Sequence, residues 1–297
     1  MSTHILENSC IRVTVSDAGA ELCSVVDKSD GSERIWTADP AVWNRHAPIL
    51  FPFVGRVAGG VYRIGDREYA MKTQHGFARD MDFLCTEEQE NSVTHCLTPT
   101  PAIREIYPYE FRLTVKHSLD PAQPRTLHVD WTVENQGDVP MYYAIGAHPG
   151  FLLPPGTRKE DCSLAFPGKS ALRFFGVESP SGLALPEQET ELPLENGEAA
   201  FRVSIYDTWI FQSQQVEEIR IVRGGTPLAV LRCPGFPLLA VWANPKGSFI
   251  CLEPWFGRTD DKGFSGTLAE KPGEQLLPAG GSRTIRYSMD FPAWKPE

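Results

Sequence analysis

The chain has 297 residues, 41% of them hydrophobic and 22% charged, with a formal net charge of -10. That length and balance suit a soluble globular protein able to bury a large core. The acidic excess argues against nucleic acid or an anionic membrane as the main partner, and no apolar run reaches membrane-spanning length.

The opening residues, "MSTHILENSCIRV", lack a basic segment followed by an apolar core, so no signal peptide is expected. Seven cysteines are scattered without a CxxC pair, which predicts buried free thiols in a reducing cytoplasm rather than a disulfide framework or structural zinc site. Glycine and proline, 25 of each, occur from end to end and interrupt helices repeatedly.

In chain order, "DPAVWNRHAPILFP" holds the best helical candidate, a short turn capped by Asp39, opened by Pro40 and ending before Pro48. "GVYRIGDREYAM" predicts a tight hairpin turning at Gly65-Asp66. "FRLTVKHSL" places Phe111, Leu113, Val115 and His117 on one face, and "TLHVDWTVE" does the same for Leu127, Val129, Trp131 and Val133. The turn-rich "DPAQPR" between them predicts an antiparallel hairpin. "SPSGLALPEQETELPLENGE" reads as a long surface connection, and "SRTIRYSMDF" alternates again. No linker divides the chain and no repeat recurs. The fold class expected is all-β: one large, mostly antiparallel domain over residues 1–297 with few short helices.

Four stretches combine polar side chains with backbone-stiffening neighbours: "FPFVGRV" with Arg56, "QHGFARD" with His75 and Arg79, "GAHPGF" with His148, and "LEPWFGRTD" with Glu253. A fifth, "YDTWIF", offers Asp207 within an apolar strand. His148 precedes Pro149, which drives it toward extended backbone, and its small neighbours leave space for a ligand. His75 and His148, each taken alone, are as well explained by structural hydrogen bonding as by function. Glu253 after the apolar "SFICL" is costly unless used or paired, for instance with Arg258. Trp255 serves equally as core or as a platform for a sugar ring. Arg56 and Arg79 suit hydroxyls, carboxylates or phosphates, or a structural ion pair. His4, His95, His117 and His128 read as surface or strand histidines, and His46 is undecided. No GxSxG elbow, phosphate loop, dinucleotide fingerprint or metal-ligand spacing is present. The groups on offer are imidazole, carboxylate and guanidinium, a set suited to proton transfer on a polar substrate without metal or cofactor, or to binding one.

In their order along the chain, "HAPILFPFVGRVAGGVY", "QHGFARD", "GAHPGF" and "CLEPWFGRTD" resemble the aldose 1-epimerases, or galactose mutarotases, closest to the branch with LacX-like proteins and hexose-6-phosphate 1-epimerases. The resemblance runs from about Ile11 to the last strand and implies a large antiparallel β-sandwich (a mutarotase-like supersandwich) with an open cleft on one sheet. It implies Glu253 as base on the anomeric hydroxyl, His148 as acid on the ring oxygen and His75 as assistant. Arg56, Arg79, Asp207 and Trp255 are the implied substrate contacts, and the partner is a small sugar or sugar phosphate. Three readings remain: a free-hexose epimerase, a hexose-6-phosphate epimerase, and a sugar-binding protein without activity, which the intact trio of Glu253, His148 and His75 disfavours. A wide β-sandwich can be monomeric or pair into a homodimer, and the sequence does not choose.

Overall fold

A computed structural model describes residues 2–202 and 208–294. The dominant sheet has nine strands. Its order is Glu198–Ala200, Ser163–Ala165, Glu218–Arg223, Thr226–Arg232, Ser282–Asp290, Thr126–Asn135, Phe111–Leu119, Ser92–Leu97 and Leu84–Gln89. The expected hairpin at its centre pairs Phe111–Leu119 with Thr126–Asn135, Leu127 opposite Leu119. The alternating apolar residues of both strands are buried, and so is His117 on the same face.

A second sheet runs Trp209–Phe211, Leu238–Trp242, Phe249–Phe256, Ile145–Ala147 and Ile49–Leu50, with Gly150–Leu152 also paired to Phe249–Phe256. The two sheets share one core. Trp131 and Tyr287 of the large sheet meet Phe236, which packs on Phe256 of the second with ring centroids 4.6 Å apart. A three-stranded sheet, Thr3–Glu7, Ile11–Ser16 and Leu22–Asp27, flanks this sandwich. The hairpin Val61–Ile64 with Arg67–Ala70 turns at Gly65-Asp66 as the sequence predicts.

Three local features differ from expectation. The Asp39 segment is a capped turn, with Ala41 N–H donating to Asp39 Oδ1 at 2.9 Å, and not a helix. Among the described residues the α-helix is Pro101–Ile106, capped by the Thr100 hydroxyl, which accepts from Ile103 N–H, with proline opening its first turn. It is too short to show a period. The long connection also carries structure: Thr190–Pro193 pairs with Ala171–Phe174. Among the described residues no helix is long and apolar enough to cross a membrane.

Candidate active site

The strand Phe249–Phe256 places the site. Alternation sends Ile250, Leu252 and Phe256 into the shared core and leaves Cys251, Glu253 and Trp255 on the opposite face. That face is roofed by loops, so all eight residues are buried. Glu253 is therefore not at the strand's end, as "SFICL" suggested. Pairing continues past it through Pro254 to Phe256.

The strand's other neighbour is broken opposite Glu253. Ile145–Ala147 pairs with its C-terminal part, Gly146 facing Trp255, and Gly150–Leu152 pairs with its start, Gly150 facing Cys251. The two ladders keep one common register, so His148 falls directly across from Glu253, within the break that Pro149 enforces. His148 Nε2 lies 3.3 Å from Glu253 Oε1. The glycines of "GAHPGF" do not open space for a ligand as expected. A Cβ on Gly146 would stand 2.5 Å from Trp255 Cδ1, and one on Gly150 would stand 3.1 Å from Trp43 Cζ3. They admit tryptophans, which then shape the cavity.

That cavity has a volume of about 400 Å³, within the usual range for a small-molecule site, and Trp43, Trp242 and Trp255 give it flat walls. The Trp43 ring covers His148 with centroids 4.9 Å apart at 34°. Gln74, Arg56, Thr208, Thr259 and, from one loop, Val177, Pro180 and Gly182 also line it.

His75 reaches the cavity from a loop in left-handed backbone, φ 67°. A non-glycine residue there signals local demand, and histidine tolerates it better than branched side chains. Two hydrogen bonds hold it: His75 N–H donates to Gly55 O at 2.6 Å, and Gly55 N–H donates to His75 Nδ1 at 3.0 Å. Because Nδ1 accepts, the neutral ring carries its proton on Nε2. His75 thus presents a hydrogen-bond donor beside His148, whose ring centroid is 5.6 Å away.

Burial favours the neutral form of each group. It raises the Glu253 carboxyl well above the ordinary range; the nearby Trp255 indole N–H, which makes no hydrogen bond among the described residues, pulls the other way. It lowers His148, helped by the positive charge of Arg79, and lowers His75, helped by the charges of His148, Arg79 and Arg56. Among the described residues Glu253 Oε2 and His148 Nδ1 are buried without partners. Arg258, the candidate ion-pair partner of Glu253, pairs instead with Asp261 and donates to Thr259 O at 3.1 Å. Burial thus favours the neutral form of both members of the pair, and among the described residues no arginine or lysine is paired with Glu253.

Comparison with known proteins shows the family. Residues 2–262 match the sequence model of the aldose 1-epimerase family. The chain belongs to the aldose 1-epimerase family. Its relatives include the chromosomal LacX protein of Lactococcus lactis subsp. lactis, 33% identical over 279 residues, 90% of this chain and 92% of that one. A galactose mutarotase related enzyme from Lactobacillus acidophilus superposes with a TM-score of 0.91 at 28% identity, covering 98% of both chains. A galactose mutarotase-like protein from Lactobacillus casei gives 0.88 at 26% identity, covering 98% of this chain and 100% of that one. The all-β sandwich expected from the sequence is the fold of this family.

Within this aldose 1-epimerase family chain, the expected site residues separate by position. Glu253, His148, His75, Arg56 and Trp255 converge on the cavity. Arg79 does not line it. Its guanidinium is largely buried behind the loop and donates to Gln74 O at 2.7 Å, bracing the peptide before His75. Asp207 lies outside the described residues. His46 sits off the cavity, its Nδ1 3.7 Å from Glu21 Oε1. Trp43, Trp242 and Gln74 were missed by sequence reading. The only signal for Gln74 was adjacency to His75. Trp43 and Trp242 come from segments that reach His148 only through folding.

Proposed function

We propose that the protein interconverts the α and β anomers of a hexose, opening and reclosing the pyranose ring. The observation that carries this is the 3.3 Å pairing of His148 with Glu253 in a tryptophan-walled cavity, with His75 fixed as a donor beside it. Ring opening removes a proton from the O1 hydroxyl, forms C1=O1, breaks C1–O5 and adds a proton at O5. Ionised Glu253 takes the first proton, protonated His148 gives the second, and His75 Nε2–H steadies the oxygen whose charge changes. Rotation about C1–C2 and the reverse transfers close the ring on its other face.

The proton count suits this. Carboxylic acid plus neutral imidazole contains as many protons as carboxylate plus imidazolium, so transfer within the pair makes the working form. A substrate hydroxyl that hydrogen-bonds the charged form supplies what burial withholds. An acid and a base of this kind each contribute about 10²–10⁴ in rate, and a fixed substrate orientation adds to that. The flat tryptophans suit the apolar face of a sugar ring.

A second reading, the same chemistry on a hexose 6-phosphate, is favoured by Arg56. Its exposed guanidinium has no carboxylate partner among the described residues, and it lines both the main cavity and an adjoining one of about 250 Å³ with Lys72, Thr73 and Ser181. Anomer exchange measured by NMR on free and phosphorylated hexoses tests both. Exchange should rise with protein concentration for at least one sugar. Arg56→Ala should lower kcat/KM selectively if the phosphorylated form is the substrate. No sugar exchanging above its spontaneous rate would leave a binding protein.

A further inference from the structure

Away from the cavity, the N-terminal sheet meets the edge of the nine-stranded sheet through a cluster that the reaction does not use. His4 comes from Thr3–Glu7, Asp17 follows Ile11–Ser16, and Cys85 and His95 lie opposite each other on the paired strands Leu84–Gln89 and Ser92–Leu97. One ring nitrogen of each histidine and Cys85 Sγ all lie within 4.8 Å of one another. Asp17 Oδ1 sits between the imidazoles, 2.9 Å from His4 Nε2 and 3.3 Å from His95 Nε2. We infer that His4, His95 and Cys85 form a binding site for a zinc-like divalent cation that clamps the N-terminal sheet to the edge strand, with Asp17, outside that three-donor cluster, turning in to close the fourth position.

The chemistry suits that ion, and the donors must draw together to hold it. Two imidazoles and a thiolate match the donor types of a zinc site, and the Asp17 carboxylate would supply the fourth position of a tetrahedron. Donors on such an ion stand about 3.4–3.7 Å apart at metal–ligand distances of about 2.0–2.3 Å. The Asp17–His95 separation is already close to this, and the Asp17–His4 separation needs to widen by about half an ångström. Supporting groups are in place. Glu88 Oε2 lies 2.9 Å from His4 Nδ1, the outer carboxylate that holds a ligating imidazole in orientation. The Ser2 N–H donates to Asp17 Oδ2 at 3.1 Å, leaving Oδ1 for the centre. The ladder shifts register between Cys85 and Glu87, and such bulges re-aim side chains at a sheet edge. His95 is fully buried and its Nδ1 has no partner among the described residues, so the contact with Asp17 leaves part of that ring's cost unmet.

The test uses the full chain, stripped of metal and titrated with Co²⁺ and then Zn²⁺. The expected result is stoichiometric Co²⁺ binding with the visible absorption of a four-coordinate site and a near-ultraviolet thiolate-to-cobalt band, both abolished by Zn²⁺. Cys85→Ser should remove the thiolate band, and His4→Gln should weaken Zn²⁺ by about a hundredfold or more. Glu88→Gln should weaken it about 10–100-fold while leaving the cobalt spectrum in place. Zn²⁺ should raise the unfolding midpoint of the parent chain and not that of Cys85→Ser; circular dichroism confirms that each variant is folded. The proposal is overturned if the parent chain gives no four-coordinate cobalt spectrum. It is equally overturned if the thiolate band survives Cys85→Ser and disappears in Cys251→Ser, which would place the ion beside Glu253.

Discussion

Asp27 and Glu253 are equally hidden, at 0% and 1% exposure, yet their surroundings drive them in opposite directions. Asp27 receives Arg34 Nη2 at 2.6 Å, Arg125 through both terminal nitrogens, and the Ser29 N–H and hydroxyl at 3.0 and 2.7 Å. Burial alone would raise its pKa, but the hydrogen bonds from Arg125 and Ser29 and the charge of Arg34 overcome that and hold it at about 2. Among the described residues Glu253 has no arginine or lysine within ion-pair distance and meets only the ring of His148. Burial favours its acid form. Depth inside a protein therefore does not tell whether a carboxylate is structural or reactive. The number of partners already committed to it does.

Substituting each acid breaks the comparison most directly. Glu253→Gln should lower anomer exchange by about 10²–10⁴ and leave the fold intact, since it removes a reactive group and no structural bond. Asp27→Asn should do the reverse. It leaves the buried Arg34 without its main counter-ion, costing about 3–5 kcal/mol in denaturant unfolding, while exchange per folded molecule stays unchanged. Loss of exchange in folded Asp27→Asn, or full exchange in Glu253→Gln, would remove the distinction.

His148→Asn comes next. An amide of similar reach keeps the position opposite Glu253 but cannot deliver a proton, so kcat should fall by about 10²–10³ with little change in KM. If KM rises while kcat holds, His148 binds the sugar without donating to it.

pH sharpens the contrast in stability. The Asp27 pKa is depressed, so its contribution is present above the unfolded value near 3.8 and is lost as pH falls toward 2. The Glu253 pKa is raised, so its neutral form costs nothing below the unfolded value near 4.5, and a stability penalty grows as pH rises above it. Glu253→Gln should therefore melt higher than the parent chain by a margin on the order of 2–4 °C at pH 7 that shrinks toward pH 4, as scanning calorimetry would show. A margin that widens on acidification would mean Glu253 is held ionised.

The smallest effect concerns the shape of the break. Gly146→Ala drives a methyl group against the Trp255 indole and should cost about 1–3 kcal/mol through overpacking, with a lesser loss of kcat as the ring tilts from the cavity wall. An unchanged melting point would show that Trp255 can move freely.

Local order dictated much of this molecule by itself. Period-two alternation fixed the hairpin Phe111–Leu119 with Thr126–Asn135 and the strand Ser282–Asp290, because burying one face of a sheet leaves little choice of register. The motifs around Arg56, His75, His148 and Glu253 marked the cavity because their glycines and prolines sit where the backbone must bend or stop. Tertiary structure alone decided the rest. Whether Glu253 met an arginine or a histidine depended on two strands sharing a register across a break at Pro149. Arg79 and Arg56 look equivalent in sequence, but one braces a loop and the other faces the cavity. The cluster of His4, Asp17, Cys85 and His95 has no readable spacing, since its members join only where two sheets meet. Patterning is a property of neighbours along the chain; proton affinity and ligand geometry are set by neighbours in space.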